Sequence, residues 1–181
     1  MMEHLKKGVT LQIYEGSIVD CYTDAVVIPT SATLEWDPEV ARELTKKAGP
    51  STVAAARRKA PLDVGEAVVT TSGGMLACFI IHVALPGTMG SEGASAGKPH
   101  DLLETAVRNC LLRCAELAVP SIGLPNLARW LGFSAVESAR LMLGALERNL
   151  PDRGGVEEIH LVLRDSAELV AFAEAGGGAR A

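Results

Sequence analysis

An α/β fold is predicted for this chain, a three-layer α/β/α sandwich in which a mixed, mostly parallel sheet of about six strands has helices on both faces. Short apolar runs of strand length alternate along the sequence with segments of helical periodicity, a pattern typical of strand–helix–strand units. The 181 residues suffice for one domain with its own core, and 48% are hydrophobic while 22% are charged. We therefore predict a single domain over residues 1–181.

The first half of the chain carries four predicted strands. Each is an apolar or alternating run that is bounded by turn residues. Between the second and the third strand, residues 38–59 show a helical pattern that is interrupted at Gly49-Pro50. The predicted strands are residues 10–14, 25–28, 67–71 and 78–85.

The second half carries three predicted helices and two strands. Ser134 is followed three residues later by Glu137, a capping box that fixes the start of the middle helix. A stretch rich in Gly, Ser and Ala predicts a flexible loop, and a terminal glycine run predicts a disordered tail. The helices are residues 101–117, 134–149 and 167–175, the strands are 120–124 and 159–163, the loop is 87–99 and the tail is 176–181.

Charge and hydropathy exclude several classes of partner. The formal net charge is −5 and the isoelectric point is near 5.4, which argues against general nucleic-acid binding. The longest apolar run, residues 75–85, is too short to span a bilayer and contains His82. The first residues show no secretory-signal pattern. We expect a cytoplasmic protein without membrane association.

The cysteines and histidines predict no metal site. Cys110 and Cys114 would share one face of a helix, which could in principle hold a metal, but their apolar neighbours favour two core thiols. His82 lies in an apolar run and fits a hydrogen-bonded core histidine. A phosphate-binding P-loop, a dinucleotide fingerprint and a catalytic serine motif are all missing from the sequence. We expect neither a metal nor a cofactor.

Residues 24–41, DAVVIPTSATLEWDPEVA, place a strand before a polar turn and a helix start, where α/β proteins commonly hold a ligand. This stretch resembles, without a gap, the first ligand loop of macro domains, the ADP-ribose-binding modules: D-A-I-V-N-A-A-N, a few residues, L, two more and G-G-G-V-A. The resemblance covers roughly residues 10–174 and implies the fold and ligand cleft of that family. Further matches, in family order, lie at residues 15–18, 65–70, 81–82, 102–103, 121–125 and 161–165.

The first ligand loop departs from the family at its polar positions. The two asparagines of the family pattern fall on Ile28 and Ser31, and its three glycines fall on Asp37, Pro38 and Glu39. Proline has no N–H, and two carboxylates repel a diphosphate. The triplet also fits a helix start, with Asp37 as the cap and Pro38 at the first helical position. We therefore expect these three residues to cap a helix.

The second ligand loop, residues 126–133, keeps one glycine, Gly132. One interpretation assigns Arg129 to a phosphate and Trp130 or Phe133 to the face of a base or ribose. In the alternative, the two aromatic residues anchor the loop to the core and Arg129 is a solvated charge. The sequence leaves both open.

At the adenine end, the family's aspartate is replaced by Ser17, and an aromatic residue found in many members is replaced by Arg164. A guanidinium plane can stack on a base. Asp165 is expected to cap the final helix. No catalytic residue is assigned, and the ligand-binding residues that the resemblance implies are Ser17, Ile18, Thr30, Ser31, Asn126, Arg129, Trp130, Gly132, Phe133 and Arg164.

Three functions stay open. The first is a macro-like module that binds ADP-ribose or a related nucleotide with weakened or altered specificity. The second is an ADP-ribosyl hydrolase or O-acetyl-ADP-ribose deacetylase, which the loss of the asparagines and glycines argues against. The third is a vestigial cleft in a protein-binding or homo-oligomerising domain. We rank binding first and hydrolysis second, so the chain is expected to be a binding module rather than an enzyme.

Overall fold

A computed structural model describes residues 1–86, 97–151 and 155–177 of the chain, and in these residues one sheet lies between two layers of helices. The strands are β1 (Met2–His4), β2 (Thr10–Glu15), β3 (Ala25–Thr30), β4 (Ala67–Thr71), β5 (Phe79–Ala84), β6 (Ser121–Pro125) and β7 (Glu158–Leu163). The helices are α1 (Pro38–Ala48), α2 (Pro50–Arg57), α3 (Pro99–Leu117), α4 (Ala135–Asn149) and α5 (Ser166–Gly177).

The strand order across the sheet is β1-β2-β7-β6-β3-β5-β4. The five inner strands run parallel, and β1 and β4 pair antiparallel at the two edges. The predicted mixed, mostly parallel α/β/α sandwich is confirmed. β1 adds a seventh strand that was not predicted, because a three-residue edge strand carries no detectable alternation.

The two faces of the sheet bury different sets of side chains. Along β3, Val26 and Ile28 pack with the residues of α1 and α2, whereas Ala25 and Val27 pack with α3, α4 and α5. β3 is buried on both faces, which explains its continuous apolar sequence. None of the helices in the described ranges is long and apolar enough to cross a membrane.

Local signals placed most helix ends correctly. Gly49 adopts φ 86° between α1 and α2, and Pro50 starts α2, so the predicted interruption is confirmed. Ser134 and Glu137 form the predicted capping box at the start of α4. Pro99, from the predicted loop, begins α3, and residues 87–96 lie outside the described part of the chain.

The final helix extends further than predicted. Gly176 and Gly177, which the sequence assigned to a disordered tail, belong to α5 in the structure, so that boundary was wrong. Residues 178–181 lie outside the described ranges.

The predicted core residues lie where the sequence placed them. Cys110 and Cys114 are fully buried on α3, and burial raises the pKa of Cys114 to about 12. His82 is fully buried on β5 and its Nε2 lies 2.9 Å from Thr70 Oγ1. Two core thiols and a hydrogen-bonded core histidine are therefore confirmed.

Parallel strands end at a common edge of the sheet, and this edge positions the site. The carboxyl ends of β2, β3, β6 and β7 are followed by residues 16–20, 31–37, 126–132 and 164–165, respectively. These four segments are distant in sequence but adjacent in space, as ligand sites in α/β sheets require.

Candidate functional site

A cleft of about 780 Å³ opens at the carboxyl edge of the sheet. Its volume falls within the range of small-molecule sites. Its walls come from the segment after β2, the first turns of α1, the 3-10 helix Leu127–Leu131 and the end of β7. The lining residues are Gly16, Ser17, Ile18, Val19, Asp37, Glu39, Val40, Glu43, Pro125, Arg129, Trp130, Gly132, Val162 and Arg164.

The start of α1 is capped by the protein itself. Asp37 Oδ1 accepts a hydrogen bond from the Glu39 amide at 3.0 Å, and the Asp37 carbonyl accepts one from the Ala41 amide at 2.8 Å. Pro38 has no amide hydrogen to donate. The predicted helix start is confirmed, and it leaves little of the first turn to bind an anion.

Glu43 adds a carboxylate to the cleft that sequence reasoning missed. It lies four residues after Glu39 on α1, so both side chains fall on the same helical face. With Asp37, three carboxylates line this wall of the cleft. The i, i+4 spacing of two acids after a helix cap was the signal that could have identified Glu43.

Arg129 is held by acidic residues of the last helical segment. Its Nη1 lies 3.4 Å from Glu168 Oε1 and 3.9 Å from Asp165 Oδ2. Arg129 is thus ion-paired, while 38% of its side chain stays exposed to solvent. Arg129 lines the cleft with part of its positive charge already compensated.

Glu168 is a buried carboxylate that organises this wall. Its side chain is 7% exposed, and it accepts hydrogen bonds from Asn126 Nδ2 at 3.0 Å and from the Arg164 amide at 3.0 Å. The Glu168 amide in turn donates to Asp165 Oδ1 at 3.0 Å, which confirms Asp165 as the cap of α5. Sequence reasoning missed Glu168, although its spacing from Asp165 is that of a capping box.

The aromatic residues of the second loop have different positions. Trp130 is half-buried, packs against the core and lines the cleft. Phe133 packs edge to face on His100 with ring centroids 4.9 Å apart, and it is not among the lining residues. Gly132 ends the 3-10 helix with φ 84°, a conformation that favours glycine. The anchoring interpretation describes Phe133, while Trp130 both anchors and faces the cleft.

Thr30, Ser31 and Asn126 are predicted ligand-binding residues that the structure places in buried hydrogen bonds away from the lining. Thr30 Oγ1 donates to the Glu35 carbonyl at 2.9 Å, and Ser31 Oγ accepts from the Glu35 amide at 3.1 Å. Both therefore hold the turn before α1, as Asn126 holds Glu168. The other six predicted residues that the structure brings together around the cleft are Ser17, Ile18, Arg129, Trp130, Gly132 and Arg164.

Arg164 is the second arginine of the cleft. Its side chain is exposed, and Arg164 lines the same cleft as Ser17 and Ile18. In the described parts of the chain its guanidinium has no ion pair and no hydrogen bond, in contrast to Arg129. A guanidinium in this state can bind an anion or stack on a planar ring.

A second polar cluster lies beside the cleft, on the sheet face under residues 18–21. Tyr14 Oη lies 3.0 Å from His160 Nδ1 and 3.3 Å from Cys21 Sγ, and His160 Nε2 lies 3.0 Å from Glu158 Oε1. Burial and the neighbouring Cys21 raise the pKa of Tyr14. The described residues contain no group of three or more His, Cys, Asp or Glu side chains that could hold a metal. The contact between Tyr14 and His160 links β2 to β7.

Comparisons with solved structures support the fold. The chain superposes on the Oceanobacillus iheyensis macrodomain with ADP with a TM-score of 0.81 and 22% identity, covering 97% of this chain and 93% of that one. It superposes on the Trypanosoma brucei macrodomain in complex with ADP-ribose with a TM-score of 0.76 and 19% identity, covering 91% and 68% of the two chains.

Two sequence relatives differ in length. An uncharacterised protein of Mycobacterium tuberculosis is 29% identical over 168 residues, which cover 92% of this chain but 45% of that protein. The chain thus spans less than half the length of the mycobacterial relatives it matches. A Salmonella newport protein named O-acetyl-ADP-ribose deacetylase is 27% identical over 160 residues, covering 86% of this chain and 87% of that protein.

The family assignment rests on sequence and structure together. The sequence model described as the macro domain matches residues 27–142, which include the start of α1 and the 127–131 segment of the cleft. The strand order and the cleft at the carboxyl edge of the sheet accompany this match. The chain belongs to the macro-domain family.

Proposed function

We propose that the cleft binds ADP-ribose or a related nucleotide, with a specificity altered by the residues at the start of α1. The observation that carries this proposal is the cleft of about 780 Å³ at the carboxyl edge of the sheet, in a chain that belongs to the macro-domain family. Solved structures with the same fold include a macrodomain with ADP and another in complex with ADP-ribose. The ligand therefore lies between α1 and the 127–131 helix.

The altered specificity is supported by the first turn of α1. The Glu39 amide is used by the Asp37 cap and Pro38 has no amide hydrogen, and two further carboxylates, Glu39 and Glu43, line the same wall. A diphosphate gains few amide hydrogen bonds there and meets negative charge. Binding of ADP-ribose is expected to be weaker than a glycine-rich turn would give.

Titration calorimetry with ADP-ribose, AMP, NAD and inorganic phosphate tests the proposal. Binding of at least one nucleotide is expected, and Ser17→Trp should abolish it by filling the cleft that Ser17 lines. Thr71→Trp, at an exposed position on the edge strand β4 outside the cleft, is the control and should bind as the wild type does. No heat and no thermal shift with any of the four compounds would contradict nucleotide binding and favour the vestigial cleft.

Hydrolysis is the second candidate, and the relative named O-acetyl-ADP-ribose deacetylase favours it. Asp37 is the carboxylate of the cleft nearest to the turn before α1, but it already accepts the Glu39 amide as a helix cap. A capping carboxylate is a poor general base. Release of ADP-ribose from an ADP-ribosylated protein by the wild type, lost in Asp37→Ala, would replace binding by hydrolysis as the proposed function.

A further inference from the structure

The two walls of the cleft carry opposite charge. The α1 wall presents Asp37, Glu39 and Glu43, and the opposite wall presents Arg129 and Arg164. The two walls come from segments far apart in sequence, so the division of charge exists only in the folded chain. Any ligand in the cleft has to match it.

The α1 wall accepts hydrogen bonds and repels anions. Glu39 and Glu43 have no ion pair and no side-chain hydrogen bond within the described ranges of the chain. The field of the helix end, which normally attracts an anion, is offset by the Asp37 cap. Carboxylates of this kind bind groups that donate hydrogen bonds, such as ribose hydroxyls or an amine.

The two arginines of the opposite wall differ in how far the described residues compensate their charge. Arg129 is paired with Glu168 at 3.4 Å and lies 3.9 Å from Asp165. Arg164 keeps its guanidinium unpaired among the described side chains, and it lines the same cleft as Ser17 and Ile18. A guanidinium binds the oxygens of one phosphate in a fork with two parallel hydrogen bonds.

We propose that the ligand of this cleft is a nucleoside monophosphate, or a molecule of the same polarity, whose single phosphate binds Arg164 and whose hydroxyl groups face Glu39 and Glu43. This inference rests on the proposed nucleotide-binding function and specifies its ligand. A diphosphate that extends toward α1 would place its second phosphate against the carboxylates of that wall. The cleft therefore favours AMP over ADP-ribose.

Arg164→Gln tests the phosphate position. Loss of a charge-assisted contact should weaken AMP binding by about 10- to 100-fold, while binding of adenosine, which has no phosphate, should stay as in the wild type. Arg140→Gln, on the exposed face of α4 away from the cleft, makes the same change in net charge and should alter neither affinity. Titration calorimetry of both ligands with the full chain gives these ratios.

The double variant Glu39→Gln/Glu43→Gln tests the opposite wall. Removing two negative charges should strengthen ADP-ribose binding by about tenfold. The ratio of AMP affinity to ADP-ribose affinity should therefore fall. Glu157→Gln, at an exposed position directly before β7, is the control for an acid outside the cleft.

The outcomes separate this inference from the proposed function. If the wild type binds ADP-ribose more tightly than AMP, and Arg164→Gln weakens adenosine and AMP equally, the divided cleft is wrong while nucleotide binding stands. Equal weakening of adenosine and AMP binding in Arg164→Gln would mean that Arg164 contacts the base instead of the phosphate. If no nucleotide or nucleoside binds, both proposals fall together.

Discussion

Glu168 connects several segments of one wall of the cleft. It is buried, and it receives hydrogen bonds from Asn126, Arg129 and the Arg164 amide. Asn126 and Arg129 belong to the 126–132 segment. The third partner is the backbone amide of Arg164, whose side chain lines the cleft. One carboxylate thereby couples the 3-10 helix to the start of α5.

Glu168→Ala should destabilise the protein by about 2 kcal/mol, because it leaves the buried Asn126 amide without an acceptor and Arg129 without its main partner. Glu168→Gln, which keeps an acceptor oxygen, should cost less. Urea unfolding measures both. Glu157→Ala, at an exposed site, should have an unfolding free energy within about 0.5 kcal/mol of the wild type. If Glu168→Ala lowers the unfolding free energy no more than Glu157→Ala does, the structural role of Glu168 is refuted.

Helix α1 shows how one element serves stability and recognition together. Asp37 caps the helix, Pro38 occupies its first position, and Glu39 follows in the first turn. These residues strengthen the helix end; Pro38 provides no amide hydrogen, the Glu39 amide is already bonded to Asp37, and the carboxylates offset the field that would otherwise attract an anion. Under the proposed function, the specificity of the cleft follows from how α1 is capped.

Asp37→Ala should cost about 1 kcal/mol in unfolding free energy, the usual value for a lost helix cap. Ser134→Ala, in the capping box of α4 and outside the cleft, is the matched control and should cost a similar amount. Only Asp37→Ala should change nucleotide affinity. Denaturation and calorimetry on the same two variants check this. If both variants bind nucleotide with the same affinity, the Asp37 cap has no part in ligand recognition.

At the scale of the whole molecule, stability should depend on pH through His82. Burial, with a smaller effect of Lys59, lowers the pKa of His82 to about 3. The unfolded chain has the ordinary value near 6.5, so below that pH the unfolded state binds more protons than the folded state. The contribution of His82 is complete above pH 6.5 and is lost as the pH falls toward 3.

This linkage predicts that unfolding free energy falls by on the order of 1 kcal/mol per pH unit below pH 6.5. His82→Gln, which can keep a hydrogen bond to Thr70, should show a smaller slope between pH 6.5 and 4. His100→Gln changes an exposed histidine and should keep the wild-type slope. Urea unfolding across that pH interval measures the three slopes, and identical slopes would exclude His82 as the cause.

The sequence alone determined the features that depend on neighbouring residues. The capping box of Ser134 and Glu137, the break at Gly49-Pro50 and the cap at Asp37 were all predictable, because each involves hydrogen bonds or backbone conformations within a few residues. The apolar pattern of β3 likewise predicted a strand buried on both faces. These local patterns, with the family resemblance, were enough to place the cleft.

Only the tertiary structure decided which residues meet in that cleft. Arg129 pairs with Glu168, 39 positions away in sequence. Thr30 and Ser31 form hydrogen bonds with the backbone of the loop before α1. The strand order brings the ends of β2, β7, β6 and β3 to one edge, and it thereby places Arg164 in the same cleft as the carboxylates of α1. Contacts of this kind depend on how distant segments pack, and a linear pattern records local preference but not that packing.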